Sequence, residues 1–238
     1  MSWLVKWLDG VFYPTFHDNW DDALFREEIL SVVRPNQHIL DLGAGAGIVA
    51  QMNFRGRAAR VCGLDPDTRV QSNPYLDEGK IGVGESVPYA DSSFDVVFAD
   101  NVLEHLYDPP AVFSEIHRVL KSGGLFLAKT PNRWHYMPII AQLTPHSFHQ
   151  YVNRLRGRDS SDTFPTHYRV NSPAAVRRYA ALTGFEVEGI RLSEGRPEYL
   201  RMSFPTYLLG LIYERLVNAI PFLSRFRILL IVRLRKTP

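Results

Sequence analysis

A glycine-rich turn near residue 45 constrains the fold of this chain more than any other segment. The apolar run Ile39-Leu40-Asp41-Leu42 leads directly into Gly43-Ala44-Gly45-Ala46-Gly47, and Ile48-Val49-Ala50 after it can begin a helix. In a strand–turn–helix unit the backbone N–H groups of the turn converge at the helix N-terminus, where they bind a ligand. Glycine admits positive φ and lets a ligand lie close to the backbone. The segment therefore predicts a small-molecule site at the end of a strand.

The residues around the turn narrow the class of ligand. A phosphate-binding P-loop requires Lys and then Ser or Thr after its last glycine, whereas Ile48 and Val49 follow here. A dinucleotide fingerprint requires a small residue three places after its second glycine, and that place is occupied by Ile48. The carboxyl group of Asp41 favours a ligand with a cationic or amino end. A turn that only connects a strand to a helix is the alternative without a ligand.

The composition is that of one ordinary α/β domain. The 238 residues are 45% hydrophobic and 22% charged, with a net charge of +2 that gives no reason to expect a nucleic-acid partner. Cys62 is the single cysteine, which excludes an intrachain disulfide and a cysteine-based metal cluster and suits a reducing, cytoplasmic location. Met1–Leu8 lacks the long apolar core and the cleavage site of a signal peptide, and predicts an amphipathic helix.

Apolar periodicity and turn residues predict alternating strands and helices along most of the chain. The predicted strands are 38–42, 60–64, 94–99, 125–129, 185–192 and 227–235, with a further strand and loop over 81–89. The predicted helices are 18–33, 48–56, 101–107, 111–120 and 172–182. Such alternation is typical of a doubly wound parallel sheet. Residues 131–170 are irregular and rich in His and aromatic residues, which predicts a lid or a binding loop.

Four segments in order resemble the class I S-adenosylmethionine-dependent methyltransferases. They are the glycine turn, Gly84–Tyr89, Phe94–Leu106 and Val119–Leu125, which together cover roughly residues 38–130. Within that family the chain is most similar to the small-molecule methyltransferases of ubiquinone biosynthesis. The resemblance implies a Rossmann-like α/β fold with seven strands, the last antiparallel and inserted beside the fifth. We expect a single domain over 1–238, with N-terminal helices at 1–35, a cofactor-binding core at 36–130, a substrate lid at 131–170 and C-terminal strands with an apolar helix, 203–224, at 171–238.

The resemblance also implies S-adenosylmethionine as cofactor and S-adenosylhomocysteine as product. The residues that would hold the cofactor are Asp41, Gly43, Ala44, Gly45 and Gly47 for the methionine part, Asp65 and Pro66 for the ribose, Gly84, Glu85 and Ser86 for the adenine edge, and Asp100 and Asn101 near the sulfonium. An acid at the tip of the second strand, such as Asp65, is placed to accept both ribose hydroxyls. The family often has Asp one place before Gly84, but this chain has Val83.

Methyl transfer to a hydroxyl or an amine also needs a group that removes a proton. The candidates are His105, His135 and His167, with His146 and His149 as further histidines of the irregular region. For each of them a hydrogen-bonded structural histidine is the alternative. Glu104-His105 resembles part of a divalent-metal motif of some relatives, but Asn101 stands in place of its first carboxylate, so no metal is expected.

The C-terminal tail combines apolar and basic residues. From Leu200 to Pro238 it contains seven Lys or Arg and one acid, Glu214. Its longest uncharged run, Met202–Tyr213, has 12 residues, fewer than the ~20 that span a bilayer. An apolar helix over 203–224 could make peripheral contact with a membrane or lipid, cover a pocket for an apolar substrate, pack on the sheet or form a homodimer interface.

Together these features predict a methyltransferase that acts on a small-molecule substrate. O-methylation of a natural product, a quinone precursor or a sugar is the favoured reaction. A catalytically silent methyltransferase fold that serves as a binding or regulatory subunit is the alternative. A nicotinamide-dependent oxidoreductase is disfavoured by the glycine spacing.

Overall fold

Seven strands form one mixed sheet in the computed structural model, which describes residues 3–16, 19–143 and 165–237, and only the backbone of 141–143. The strands are β1 His38–Leu42, β2 Arg60–Asp65, β3 Glu78–Ile81, β4 Phe94–Asp100, β5 Leu120–Pro131, β6 Phe185–Ser193 and β7 Leu229–Lys236. Their order is β3-β2-β1-β4-β5-β7-β6, and the last strand is antiparallel. This confirms the predicted doubly wound fold, with the seventh strand beside the fifth.

Six α-helices occur among the described residues. They are α1 Trp3–Phe12, α2 Trp20–Val32, α3 Pro109–Val119, α4 Tyr136–Leu143, α5 Pro173–Leu182 and α6 Phe204–Ala219. The helix α4 falls in the segment that was predicted to be irregular, whereas His146, His149 and the rest of the predicted lid up to residue 164 lie outside the described residues. The helix predicted over 203–224 ends at Ala219 and is followed by a 3₁₀ helix, Pro221–Phe226.

The apolar faces of the helices form where the sequence periodicity places them. In α3, Val112, Phe113, Ile116 and Val119 recur at helical spacing and are completely buried. The Asp108 side chain accepts a hydrogen bond from Ala111 N at its start. In α5, the N-cap residue Ser172 accepts a hydrogen bond from Ala175 N in the same way.

The helix predicted over 48–56 is wrong. The segment between β1 and β2 contains only one 3₁₀ turn, Ala50–Met52. The Arg26 guanidinium of α2 donates hydrogen bonds to the carbonyl oxygens of Gln51 and Asn53, the latter at 2.7 Å, so these carbonyls bind a side chain instead of helical N–H groups. Phe54 is fully buried, and the centre of its ring lies 5.1 Å from that of Phe98. The glycine turn is therefore not followed by an α-helix, and no helix N-terminus supports it.

Two other predicted elements also differ. The helix predicted over 101–107 is a single 3₁₀ turn, Leu103–His105, because Asn101 takes a φ of 53° and the Glu104 carbonyl accepts hydrogen bonds from the N–H groups of His167 and Tyr168. The third strand lies at Glu78–Ile81 and not over 81–89. Residues 83–86 instead form a tight turn, in which Ser86 N donates to the carbonyl oxygen of Val83 at 3.1 Å.

The chain divides into two compact units, which we call the helical unit and the sheet unit. The helical unit comprises residues 1–20, 131–165 and 192–229, and the sheet unit comprises 21–130, 166–191 and 230–238. The sheet unit holds nearly the whole of the sheet and every residue predicted to bind the cofactor. Of the described residues, no helix is both long enough and apolar enough to cross a membrane.

Candidate functional site

The glycine turn is rigidly held at the carboxyl end of β1. Gly43, Gly45 and Gly47 have φ values of +84°, +50° and +72°, a region that L side chains rarely adopt. Gly43 N donates to the Leu64 carbonyl at 2.7 Å. The Asn73 amide donates to the carbonyl oxygens of Ala44 and Gly45 at 2.9 and 3.2 Å. The turn is thus built by hydrogen bonds from other segments, and not by a helix that continues from it.

A substitution at Gly47 tests whether hydrogen bonds from Asn73 hold the glycine turn in place. A Cβ at position 47 would lie 2.3 Å from Asn73 Oδ1, whereas a Cβ at Gly56, whose φ is +76°, would meet nothing within 4 Å. Both Ala substitutions carry the left-handed backbone cost of about 1–2 kcal/mol, but only Gly47→Ala also displaces the buried Asn73. We expect Gly47→Ala to lose more free energy of unfolding than Gly56→Ala in urea titrations, and to bind the cofactor at least about tenfold more weakly. Equal losses in both variants would contradict this account of the turn.

Asp65 lies beside the turn, at the tip of β2. Its Oδ2 accepts a hydrogen bond from Gly45 N at 2.8 Å, and its Oδ1 accepts one from Asp67 N at 2.8 Å. Pro66 follows at the surface. The structure thus brings the predicted ribose-binding acid into direct contact with the predicted methionine-binding turn.

Three carboxyl groups cluster at the carboxyl ends of three neighbouring strands. In the register of the parallel sheet, Asp41 of β1 lies opposite Gly63 of β2 and Phe98 of β4. Asp65 and Asp100 therefore each lie two residues further than Asp41 towards the carboxyl ends of the strands. Asp41 is 5% exposed. Burial, and then the charges of Asp100 and Asp65, raise the pKa of Asp41 well above its usual range. A positive group bound between these strands would offset that repulsion.

Lys129 partly compensates the negative charge of Asp100. Its side chain is completely buried, and its Nζ lies 2.9 Å from Asp100 Oδ1 and 3.0 Å from Asp21 Oδ2, and also contacts Asp22. Burial alone would lower the pKa of Lys129, but the charges of Asp100, Asp21 and Asp22 raise it above its usual value. Burial raises the pKa of Asp100 to about 7 although Lys129 opposes this. Sequence reasoning missed this cluster, for which the only signal was a lysine at the end of an apolar strand.

The turn after β3 lies next to β1. A Cβ at Gly84 would lie 3.1 Å from Val112 Cγ1 and 3.8 Å from Leu42 Cδ1, which places this turn at the end of β1. The side chains of Glu85 and Ser86 are exposed there. Asn101 is exposed at the end of β4, and its N–H donates to the Lys129 carbonyl at 2.9 Å. The predicted cofactor residues therefore collect at one edge of the sheet, and their individual roles stay predictions.

Two of the candidate bases lie in the sheet unit on either side of Glu104. His105 is half-buried, and His167 is exposed with its ring 5.6 Å from that of Tyr107. His167 N donates to the Glu104 carbonyl at 2.7 Å. This hydrogen bond places the segment that carries His167 beside the 3₁₀ turn that carries His105.

A buried polar network holds Glu104 in place. Thr130 Oγ1 donates to Glu104 Oε2 at 2.7 Å and accepts from Asn171 Nδ2 at 2.6 Å. Burial raises the pKa of Glu104, although the Thr130 hydrogen bond opposes the shift. Sequence reasoning considered Glu104 only as a metal ligand. Among the residues that the structure describes, no group of three His, Cys, Asp or Glu side chains could hold a metal ion.

His135 is enclosed within the helical unit. Its Nδ1 accepts a hydrogen bond from Met137 N at 3.2 Å, and its Nε2 lies 3.5 Å from Glu194 Oε2. The rings of Tyr136 and Tyr213 lie 4.0 and 5.3 Å away. Burial lowers the pKa of His135 to about 3 and raises that of Glu194 to about 8. His135 is therefore a neutral core residue of this unit, and its catalytic role stays a prediction.

Comparison with known proteins gives a family match for the part of the chain that carries this site. Residues 40–128 match the family model described as a methyltransferase domain. A protein of Mycolicibacterium smegmatis named "Probable S-adenosylmethionine-dependent methyltransferase" is 34% identical over 155 residues, which are 63% of this chain and 52% of that protein. A malonyl-[acyl-carrier protein] O-methyltransferase of Serratia marcescens is 33% identical over 40% of this chain and 39% of its own. The chain thus spans about half the length, or less, of these curated relatives.

The solved structures agree on the fold. The crystal structure of the YcgJ protein of Bacillus subtilis matches 90% of this chain and 99% of its own, with a TM-score of 0.58 and 19% identity. Residues 40–128 therefore form a methyltransferase domain of the class I S-adenosylmethionine-dependent type. The family and the relatives imply S-adenosylmethionine as the cofactor and S-adenosylhomocysteine as the product.

Proposed function

We propose that this protein transfers the methyl group of S-adenosylmethionine to a hydroxyl group of a small molecule. The observation that carries the proposal is the cluster of Asp41, Asp65 and Asp100 around the glycine turn. Three carboxyl groups in a partly buried site suit a ligand that bears an ammonium and a sulfonium and has no phosphate. Burial and the charges of Asp100 and Asp65 raise the pKa of Asp41, and a positive group bound beside it would favour its charged form. The residues therefore fit this cofactor better than a dinucleotide.

Different residues of the site bind different parts of S-adenosylmethionine. Asp41 and the turn from Gly43 to Gly47 bind the methionine part, Asp65 accepts the ribose hydroxyls, and the turn of Gly84, Glu85 and Ser86 borders the adenine. Bound S-adenosylmethionine supplies an activated methyl group. The chain must therefore orient the acceptor, exclude water and remove the acceptor's proton.

The proton acceptor that we favour is His167, with His105 as the second candidate. Both imidazoles belong to the sheet unit, and His167 is exposed, so a substrate can reach it. His135 is disfavoured because its ring is buried against Glu194 and tyrosine rings. The relatives include N-, O- and C-methyltransferases. A natural product, a quinone precursor or a sugar hydroxyl is the proposed acceptor, and a cytoplasmic location and the ubiquinone-type branch stay predictions.

Calorimetric titration with S-adenosylhomocysteine, with NADH as the control, tests the proposal. We expect one equivalent of S-adenosylhomocysteine to bind and NADH not to bind, because the carboxyl cluster attracts an amino group and repels a diphosphate. Binding of NADH alone would contradict the proposal. Absence of binding by either would favour a scaffold subunit without a cofactor.

Turnover with labelled S-adenosylmethionine and a panel of hydroxylated acceptors then separates catalysis from binding. We expect His167→Gln to bind S-adenosylhomocysteine normally and to lose about 10²–10⁴-fold in rate, the usual contribution of a general base. An unchanged rate would remove His167 from the mechanism. Binding without turnover on any acceptor would support the silent binding or regulatory subunit.

A further inference from the structure

The helix α6 exposes an apolar stripe that its own unit does not cover. Its buried face contains Tyr207, Gly210, Glu214 and Val217. The opposite face exposes three large apolar side chains at helical spacing, Leu209, Ile212 and Leu216, which are 64%, 56% and 45% exposed. A helix that only packs on a core presents polar residues to water on this side. Exposed Ile220 and Phe222 continue the apolar surface beyond the helix end.

The helix α1 repeats this arrangement. Val5 and Leu8 pack with Tyr13 and Tyr207 in a buried cluster of the helical unit. On the other side, Trp3, Trp7 and Val11 follow one another at four-residue spacing, and all three are more than half exposed. Two exposed tryptophans on one helical face are unusual in a surface that meets only water.

Charge in the helical unit is distributed unevenly between its surface and its interior. The acids of its described residues are Asp9, Glu194, Glu198 and Glu214, and all of them are buried or half-buried. Asp9 pairs with Arg201, Glu198 with Arg196, and Glu214 accepts a hydrogen bond from Tyr13. The exposed ions of this unit, as far as it is described, are cations: Lys6, Arg215 and Arg225.

These cations lie among the exposed aromatic and apolar groups. The Arg225 guanidinium lies 3.8 Å from the centre of the exposed Phe222 ring. Arg215 is the neighbour of the exposed Leu216 on α6. Lys6 is the neighbour of Trp7 on α1. The sheet unit differs, because its exposed large apolar side chains are few and scattered: Ile48, Ile81, Val83, Tyr107 and Leu182. The combination of apolar and basic surface therefore belongs to one unit.

We propose that the outer faces of α1 and α6 dock the protein on the surface of an anionic phospholipid bilayer. Helices with apolar side chains, tryptophan and a basic fringe bind at the boundary between headgroups and acyl chains. Tryptophan is favoured at that boundary, and each cation near an anionic surface strengthens binding about fivefold. Charge complementarity selects this occupant over a second copy, since two such surfaces would bring like charges together. The proposal does not depend on methyl transfer.

Flotation with extruded vesicles tests the proposed docking on an anionic bilayer. The full-length protein is expected to float with phosphatidylcholine vesicles that contain about one-third phosphatidylglycerol and to float at least about tenfold less with pure phosphatidylcholine. The variant L209Q/I212Q/L216Q is expected to lose binding to both vesicles by tenfold or more. The variant K6Q/R215Q/R225Q is expected to lose the preference for anionic vesicles.

Leu182→Gln provides the matched control. Leu182 is 64% exposed, as is Leu209, but it lies on α5 in the sheet unit. We expect this variant to float like the unchanged protein, and circular dichroism confirms that each variant is folded. Absence of flotation by the unchanged protein, or equal flotation by L209Q/I212Q/L216Q, would overturn the proposal. A dimeric mass in light scattering that L209Q/I212Q/L216Q converts to a monomer, without vesicle binding, would assign the surface to a second copy instead.

Discussion

Replacement of Asp65 by Ala is expected to weaken the binding of S-adenosylhomocysteine about 100-fold. Hydrogen bonds to a charged group contribute about 1.5–3 kcal/mol each, and each 1.4 kcal/mol changes the affinity about tenfold. The change removes the proposed acceptor of the ribose hydroxyls. It also removes the oxygen that accepts from Gly45 N at 2.8 Å and so loosens the glycine turn. Calorimetric titration measures the loss directly.

Asp67→Ala is the matched control for this prediction. Asp67 lies two residues further along the chain, but its carboxylate binds Arg69 through Oδ2 at 2.8 Å instead of facing the turn. We expect Asp67→Ala to retain nearly the full affinity. Asp65→Asn keeps one carbonyl oxygen but no charge, and should fall between the two. Normal binding by Asp65→Ala would show that the ribose lies elsewhere.

The second large effect is expected for Lys129→Met, in the free energy of unfolding. Removing one partner of a buried ion pair costs about 3–5 kcal/mol because the remaining charge is left uncompensated. Here Asp100 and Asp22 would be left together in a buried site, beside the partly exposed Asp21. We therefore expect a loss near the lower end, about 3 kcal/mol, in urea titrations at pH 8.

Lys121→Met provides the comparison for an exposed ion pair. The Lys121 side chain is 43% exposed and lies 2.8 Å from Asp95, so its loss should cost less than about 1 kcal/mol. A cost for Lys129→Met no larger than that for Lys121→Met would show that the buried cluster is unimportant for stability.

The effect of Lys129→Met should also depend on pH. Burial raises the pKa of Asp100 to about 7 in the presence of Lys129. A carboxyl pKa that is higher in the folded than in the unfolded protein means that ionisation destabilises the folded state. This cost grows as pH rises from the pKa of Asp100 in the unfolded protein to its pKa in the folded protein. Removal of Lys129 raises the pKa of Asp100 in the folded protein further, so this cost keeps growing up to a higher pH. The difference in unfolding free energy between Lys129→Met and the unchanged protein should therefore be larger at pH 8 than at pH 5.

The sheet could be predicted because its strands are encoded locally. Each strand is a short apolar run bounded by turn residues, and the structure places strands at His38–Leu42 and Phe185–Ser193 close to the predicted limits. The resemblance to a known family supplied the strand order, which local patterns do not contain. The error at 81–89 arose because Ile81-Gly82-Val83 continues an apolar pattern beyond the last residue that pairs with β2.

Both wrong helices had acceptable helix-forming sequences. Residues 48–56 and 101–107 lost their helical hydrogen bonds to partners that are distant in sequence. Arg26 binds the carbonyl oxygens of the first segment, and the N–H groups of His167 and Tyr168 bind the Glu104 carbonyl in the second. Short helices depend on such tertiary contacts because their own nucleation is unfavourable.

The candidate site could likewise be predicted from the sequence only in part. The sequence by itself determined the glycine turn and the carboxyl groups of Asp41 and Asp65, because a strand that breaks into glycines with an adjacent acid is a local pattern. Only the tertiary structure decided that Lys129 joins Asp100 to Asp21 and Asp22, and that Glu104, Thr130 and Asn171 form one network. These residues come from strands and turns far apart in the chain. Pairing between strands brings them together, because burial of their apolar neighbours stabilises only one register.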